Sequence, residues 1–179
     1  MKFRTGFVAN SSSSSFIVAF AHRPKSVADL KEMMFGKQEW HYTGIYGDGE
    51  TDISTQSIAE AVFEDVKKKA TKKQVYESIR NGYFKPYLIP ELFPGIHMSD
   101  TQGLSYQNKE EKKEIDRIWK ESDEINDARA MAIAEGFING HDDKFIVVLR
   151  YSDEDSGLFS ILEHSGIFKR LDHIITSYH

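Results

Sequence analysis

Residues Phe16 to Phe20 read FIVAF, five apolar side chains in succession. Extended backbone sends successive side chains to opposite faces, so this run is apolar on both faces at once. A strand of that kind suits the centre of a sheet. What precedes it is unusual for such a strand: Asn10 is followed by five serines, Ser11 to Ser15. Serine runs commonly belong to flexible linkers, but the residues ahead of this one are too few to form a unit needing a link. The run reads instead as a compact loop, and two readings of that loop stay open. In the plainer one the serines are small hydrogen-bonding filler. In the sharper one the backbone N–H groups and hydroxyls of Asn10, Ser11, Ser12, Ser13, Ser14 and Ser15 converge to bind a phosphate or carboxylate. A serine nucleophile is not expected, because neither G-x-S-x-G nor S-x-x-K occurs. The run could also be a substrate that another protein reads or modifies.

Downstream of the apolar run, Ser26 stands as an N-cap before Val27 to Met34, with Asp29 at the capping-box position and Gly36 as the stop. Residues 40 to 55 read as a loop, with Trp40, Tyr42 and Tyr46 tacking it onto the body. Ser54 or Thr55 caps a helix carrying Ile58, Ala61, Val62 and Val66, and Thr71 caps another over Lys72 to Arg80. The segment 83–105 holds three of the four prolines. It suits neither a regular helix nor an inner strand, but its aromatic and aliphatic content predicts a packed excursion, a candidate lid or partner-facing loop. A long helical region follows over 108–139, its first half charged and exposed, with a possible break near Asn126.

Near the C-terminal end, KFIVVLRY predicts a strand over 144–151, and the turn 153–157 predicts a hairpin returning over 158–164. A helical turn over 166–171 and a final strand over 172–178 complete the pattern. The expectation is a single α+β domain over 1–179. It has a small mixed or antiparallel sheet of about four strands, 16–20, 144–151, 158–164 and 172–178, with a mostly helical middle region 56–139 inserted between them.

Several chemistries are excluded by composition. The chain has no cysteine, so disulfides, thiol nucleophiles and Cys-type zinc sites are out. A net charge of −5 argues against broad affinity for nucleic acid. Lys67, Lys68, Lys69, Lys72 and Lys73 read as the solvated face of a helix. Trp40, Tyr42 and Tyr46 could stack a base, against an unfavourable acidic setting. No run approaches the ~18 apolar residues of a membrane span, and the opening residues lack the apolar stretch of a secretory signal. A soluble cytoplasmic protein, without membrane partner, is expected.

The closing stretch LEHSGIFKRLDHIITSYH concentrates titratable side chains. Glu163, His164 and His173 are candidates for proton transfer, the chemistry for which imidazole and carboxylate are suited near neutral pH. Half-exposed structural histidines are the competing reading. Neither H-E-x-x-H nor a paired H-x-H is present, so no metal is assigned; a cofactor is not identifiable.

The opening RTGFVANSSSSSFIVAF resembles that of a group of small phage and bacterial proteins beginning R-[ST]-G-F-V-S-N-S-S-S-S-S-F, with Ala9 where serine is usual. The ending is similar to the group's L-E-H-x-x-I-F, H-I and S-x-H pattern. The resemblance covers about a fifth of the chain, at its extremes, and brings no activity with it. It implies a phage-type protein, cytoplasmic in the host cell if phage-encoded. It also suggests that the serine loop and the histidine-bearing last strand lie side by side in one sheet. Two functions follow as expectations. One is an accessory or binding protein acting on a host or phage protein through 83–105. The other is an enzyme acting on a phosphorylated or nucleotide-like small molecule, with a serine anion site and a histidine acid–base.

Overall fold

In the computed structural model, residues 13–42, 52–81, 103–152, 158, 161, 162 and 166–178 are described. The elements run β1 (Ser13–Phe20), α1 (Val27–Phe35), β2 (Trp40–His41), β3 (Ile53–Ser54), α2 (Thr55–Asp65), α3 (Lys72–Asn81), α4 (Lys109–Gly140), β4 (Phe145–Ser152) and β5 (Asp172–Tyr178). The fold is α+β: an antiparallel three-stranded sheet in the order β4-β1-β5, four helices, and a small β2-β3 pairing, counted among the described residues.

Strand β1 is the middle strand, as its two-sided apolar pattern predicts. Against β4 it pairs Phe16 with Leu149 and Val18 with Val147; against β5 it pairs Phe16 with Ile175 and Val18 with His173. Residues opposite one another share a face. One face therefore carries Phe16, Val18, Phe20, Val147, Leu149 and Tyr151, and packs against Leu30 and Met34 of α1 and Ile58 and Val62 of α2. The other carries Ile17, Ala19, Ile146 and Val148, and packs against Val75 and Ile79 of α3 and Ala130 and Ala134 of α4. Each fully buried branched or aromatic side chain stabilises the fold by about 1.5–3 kcal/mol, and β1 contributes to both cores.

The helices begin where the caps predict. Ser26 Oγ accepts from Asp29 N at 3.2 Å, while the Asp29 carboxylate accepts from Lys25 N at 2.8 Å, one residue ahead of the usual capping-box donor. Ser54, not Thr55, caps α2, its hydroxyl accepting from Gln56 N at 3.2 Å. Thr55 is fully buried and donates to the Gln38 carbonyl at 2.7 Å, fastening the start of α2 to the chain just before β2. Thr71 and Gln74 form a reciprocal capping box. Helix α4 runs unbroken through Asn126 for 32 residues, about 48 Å at 1.5 Å per residue. Its charged first half carries the expected short-range ion pairs, including Arg117 with Glu114 and Glu121. Arg80 clasps α4 through Asp127 and Asp123. After α2, Ala70 N donates to the Ile146 carbonyl at 2.8 Å and so covers part of the open side of β4.

Three expectations are corrected. The stretch 158–164 adds no strand to the sheet: Leu158, Ile161 and Leu162, its described residues, are helical. These three sit at i, i+3 and i+4, one face of a helix, and Leu162 is fully buried in the core with Phe16 and Phe168. Second, Lys67, Lys68 and Lys69 are exposed, but on the connection between α2 and α3, not on a helix. Third, Trp40 and Tyr42 do not tack their segment down; they are 58% and 62% exposed.

Ile17 is fully buried in the central strand. Ile17→Ala should lower unfolding free energy by about 2–5 kcal/mol, read as a reduced urea midpoint at unchanged slope. Met131→Ala, at a half-exposed position on α4, should cost under about 0.5 kcal/mol. Equal effects would contradict the two-core arrangement.

Candidate functional site

The described part of the serine run and the last strand lie side by side in one sheet, with Ser13–Ala19 running antiparallel to Asp172–Tyr178. Within that pairing the candidate residues separate. Ser13, Ser14 and Ser15 are the first three residues of β1, so this part of the run is strand and not loop. A strand alternates its faces, and Ser13 and Ser15 point to the α3–α4 side while Ser14 points to the α1–α2 side. Asn10, Ser11, Ser12, Glu163 and His164 lie outside the described residues, as does most of 83–105.

Ser15 is fully buried, and its Oγ accepts from Arg150 Nε at 3.3 Å. On the other flank its partner Thr176 is also buried and donates to the Ser78 carbonyl at 3.1 Å. Ser14 is buried opposite Tyr151. Ser15 and Thr176 are therefore polar groups satisfied within the sheet end, and an arginine stands next to the serines.

His173 lies opposite Val18, on the same face as Ser14 but four residues along. At 3.3 Å per residue that is about 13 Å, with the Phe16–Ile175 pair between them. Direct proton transfer needs about 3 Å, so His173 cannot serve a group held at Ser14. Its Nδ1 lies 2.8 Å from the Leu171 carbonyl. A carbonyl only accepts, so Nδ1 donates and the ring is held against its own strand entry. Among the described residues, no group of three or more His, Cys, Asp or Glu is placed to hold a metal ion.

Two features escaped the residue patterns. One is Asp65 at the end of α2, whose carboxylate is a hydrogen-bond partner of the buried Tyr151 hydroxyl. Asp65 is exposed as a residue, but its carboxylate leans toward that ring. Partial desolvation, the largest influence, raises its pKa against the opposing effects of Lys67 and the tyrosine hydrogen bond. Burial, with Asp65 nearby, likewise pushes the Tyr151 phenol up.

The other is a cleft of about 270 Å³ between the end of α1, strand β2 and the turn before β5. Its floor is Met34, Phe35 and Ile167, all nearly fully buried. Lys169, Arg170, His41 and Tyr42 stand around it, and the His41 ring packs 5.5 Å from that of Phe35. Two glycines in left-handed conformation seat the cations. Gly36, at φ +61°, ends α1, and any β-carbon there would collide with the Arg170 guanidinium. Gly166, at φ +67°, lies under Lys169, whose Cε is 2.5 Å from where a β-carbon would be. Only glycine meets both requirements without strain. The cleft's signals, a Lys-Arg pair after GIF and two aromatics after Trp40, are visible in the sequence; their meeting is not.

Comparison with protein-family models, curated proteins and solved structures gives no match. No helix among the described residues is long and apolar enough to cross a membrane.

Asp65 binds its proton more tightly folded than unfolded. The associated stability is complete below the ordinary aspartate value and is lost as pH rises through that value to the raised one. Asp65→Asn should remove this loss, so the variant's urea midpoint should gain on the wild type's as pH rises from about 3 to 7. A constant difference across that range would refute the assignment.

Proposed function

We propose that this protein is a binding protein of the phage-type accessory class, acting on a protein partner. One observation carries the reading: Trp40 and Tyr42, the first 58% and the second 62% exposed, stand together at β2 with the cationic cleft beside them. Tryptophan, tyrosine and arginine are the residues that dominate binding energy at protein interfaces, because they offer large contact area with a polar or charged tip. Leaving two such aromatics in water costs free energy that a partner recovers. The resemblance of the two chain ends to phage and bacterial proteins supports a phage-type origin without adding an activity, and the proposed setting is the host cytoplasm.

The size of the cleft favours this reading over a small-molecule enzyme. Sites for drug-sized ligands or cofactors span about 300–1,000 Å³, and about 270 Å³ holds one large side chain or a single charged group. The alternative, an enzyme acting on a phosphorylated or nucleotide-like molecule, draws support from Arg150 beside Ser15. Against it stands the about 13 Å between Ser14 and His173.

Affinity capture from host lysate should yield a partner with the wild type. The Trp40→Ala, Tyr42→Ala double variant should lose that partner by about tenfold or more, since hot-spot truncations cost about 2 kcal/mol each, while its melting temperature stays the same. Capture of the same proteins by both forms would sink the proposal.

A further inference from the structure

We propose that the 34–42/166–170 cleft receives an acidic segment of the partner protein, one in which a single large apolar side chain is flanked by carboxylates. The inference rests on the partner-binding reading above and adds the chemistry of what is bound. The floor of Met34, Phe35 and Ile167 belongs to the core and is nearly dry, so it offers a rigid apolar seat for a side chain. At about 270 Å³ the space admits one such side chain.

The rim selects charge. Lys169 and Arg170 line the cleft, with no carboxylate among its described lining residues. Among the described residues neither makes an ion pair, so both charges are available to a ligand. Arg170 sits over Gly36 at the C-terminal end of α1, where the helix dipole offsets about half a unit of positive charge, and Lys169 also lines the cleft. The chain's net charge of −5 does not cancel this. Fields from charges farther than about 8–10 Å are largely screened at physiological salt, so an approaching segment meets the local rim. Tyr42, also lining the cleft and exposed, adds an aromatic ring suited to an apolar contact. Two cations suit two carboxylates, whereas a nucleic-acid backbone needs a longer basic track to bind firmly.

The test uses the full-length protein and fluorescein-labelled decapeptides in three matched sets. A central Phe, Trp or Leu is flanked by Glu in the first set, by Gln in the second and by Lys in the third; binding is read by anisotropy. The Glu set should bind best, with affinity falling as salt rises. Lys169→Ala and Arg170→Ala should each weaken it by about fivefold to tenfold. The Lys169→Glu, Arg170→Glu variant should lose the Glu set and gain the Lys set, a reversal that misfolding cannot produce. Equal binding of Glu and Gln peptides, binding of none, or displacement of the Glu set by an unstructured oligothymidylate would each overturn the proposal. If peptides fail while Trp40→Ala, Tyr42→Ala still abolishes partner capture, the acidic-segment inference falls and the binding-protein reading stands.

Discussion

Strand β1 has neither face turned to water. Its alternating side chains feed two cores, Phe16, Val18 and Phe20 on one side and Ile17 and Ala19 on the other. Two helical layers are therefore required, α1–α2 over one face and α3–α4 over the other. A strand with one wet face would need only one layer. The rest of the architecture follows from supplying both. Short, well-capped α1 and α2 come from the segment after β1, and α4 reaches across the second face with its C-terminal half, leaving most of its charged first half, the buried Ile115 excepted, in solvent.

The same strand dictates what becomes of the serines. Once Phe16 to Phe20 is central, the residues just before it continue the ladder with β4 and β5 on either side. Backbone groups there are paired, and the hydroxyls of Ser14 and Ser15 enter a protein interior where each needs a partner. Arg150 serves Ser15, and Thr176 on the neighbouring strand turns to the Ser78 carbonyl. Serine is small enough to let flanking strands close and polar enough to end the apolar run without a charge. Packing within the sheet accounts for Ser15 in this way.

What could be read from the residues was mostly local. The FIVAF run, the caps at Ser26 and Thr71 and the extent of α4 depend on neighbours a few positions apart, and all are legible. A five-residue turn after KFIVVLRY points to a hairpin over 158–164, although Leu158, Ile161 and Leu162 carry helical spacing. The juxtaposition of the chain ends was legible only in outline. Register decides whether His173 faces Ser14 or Val18, and register between strands so distant in sequence is set by both cores together. The cleft was invisible for the same reason, since residues 34–42 and 166–170 meet only after the sheet has formed.

The placement of charge makes a final point. Along α4 several surface lysines and arginines find a carboxylate within a turn. Such exposed pairs are individually worth little, about 0–1 kcal/mol, so the lack of one for Lys169 and Arg170 among the described residues costs the fold little. Gly36 is needed in any case to end α1, since its N–H returns to the Glu32 carbonyl. Gly166 carries the Lys169 turn in the same way, its carbonyl accepting from Lys169 N at 3.2 Å. Two terminations, one of a helix and one of a turn, thus place two cations over one apolar floor. Chain reversal supplies the geometry, and with no carboxylate among the described lining residues the proposed site presents net positive charge.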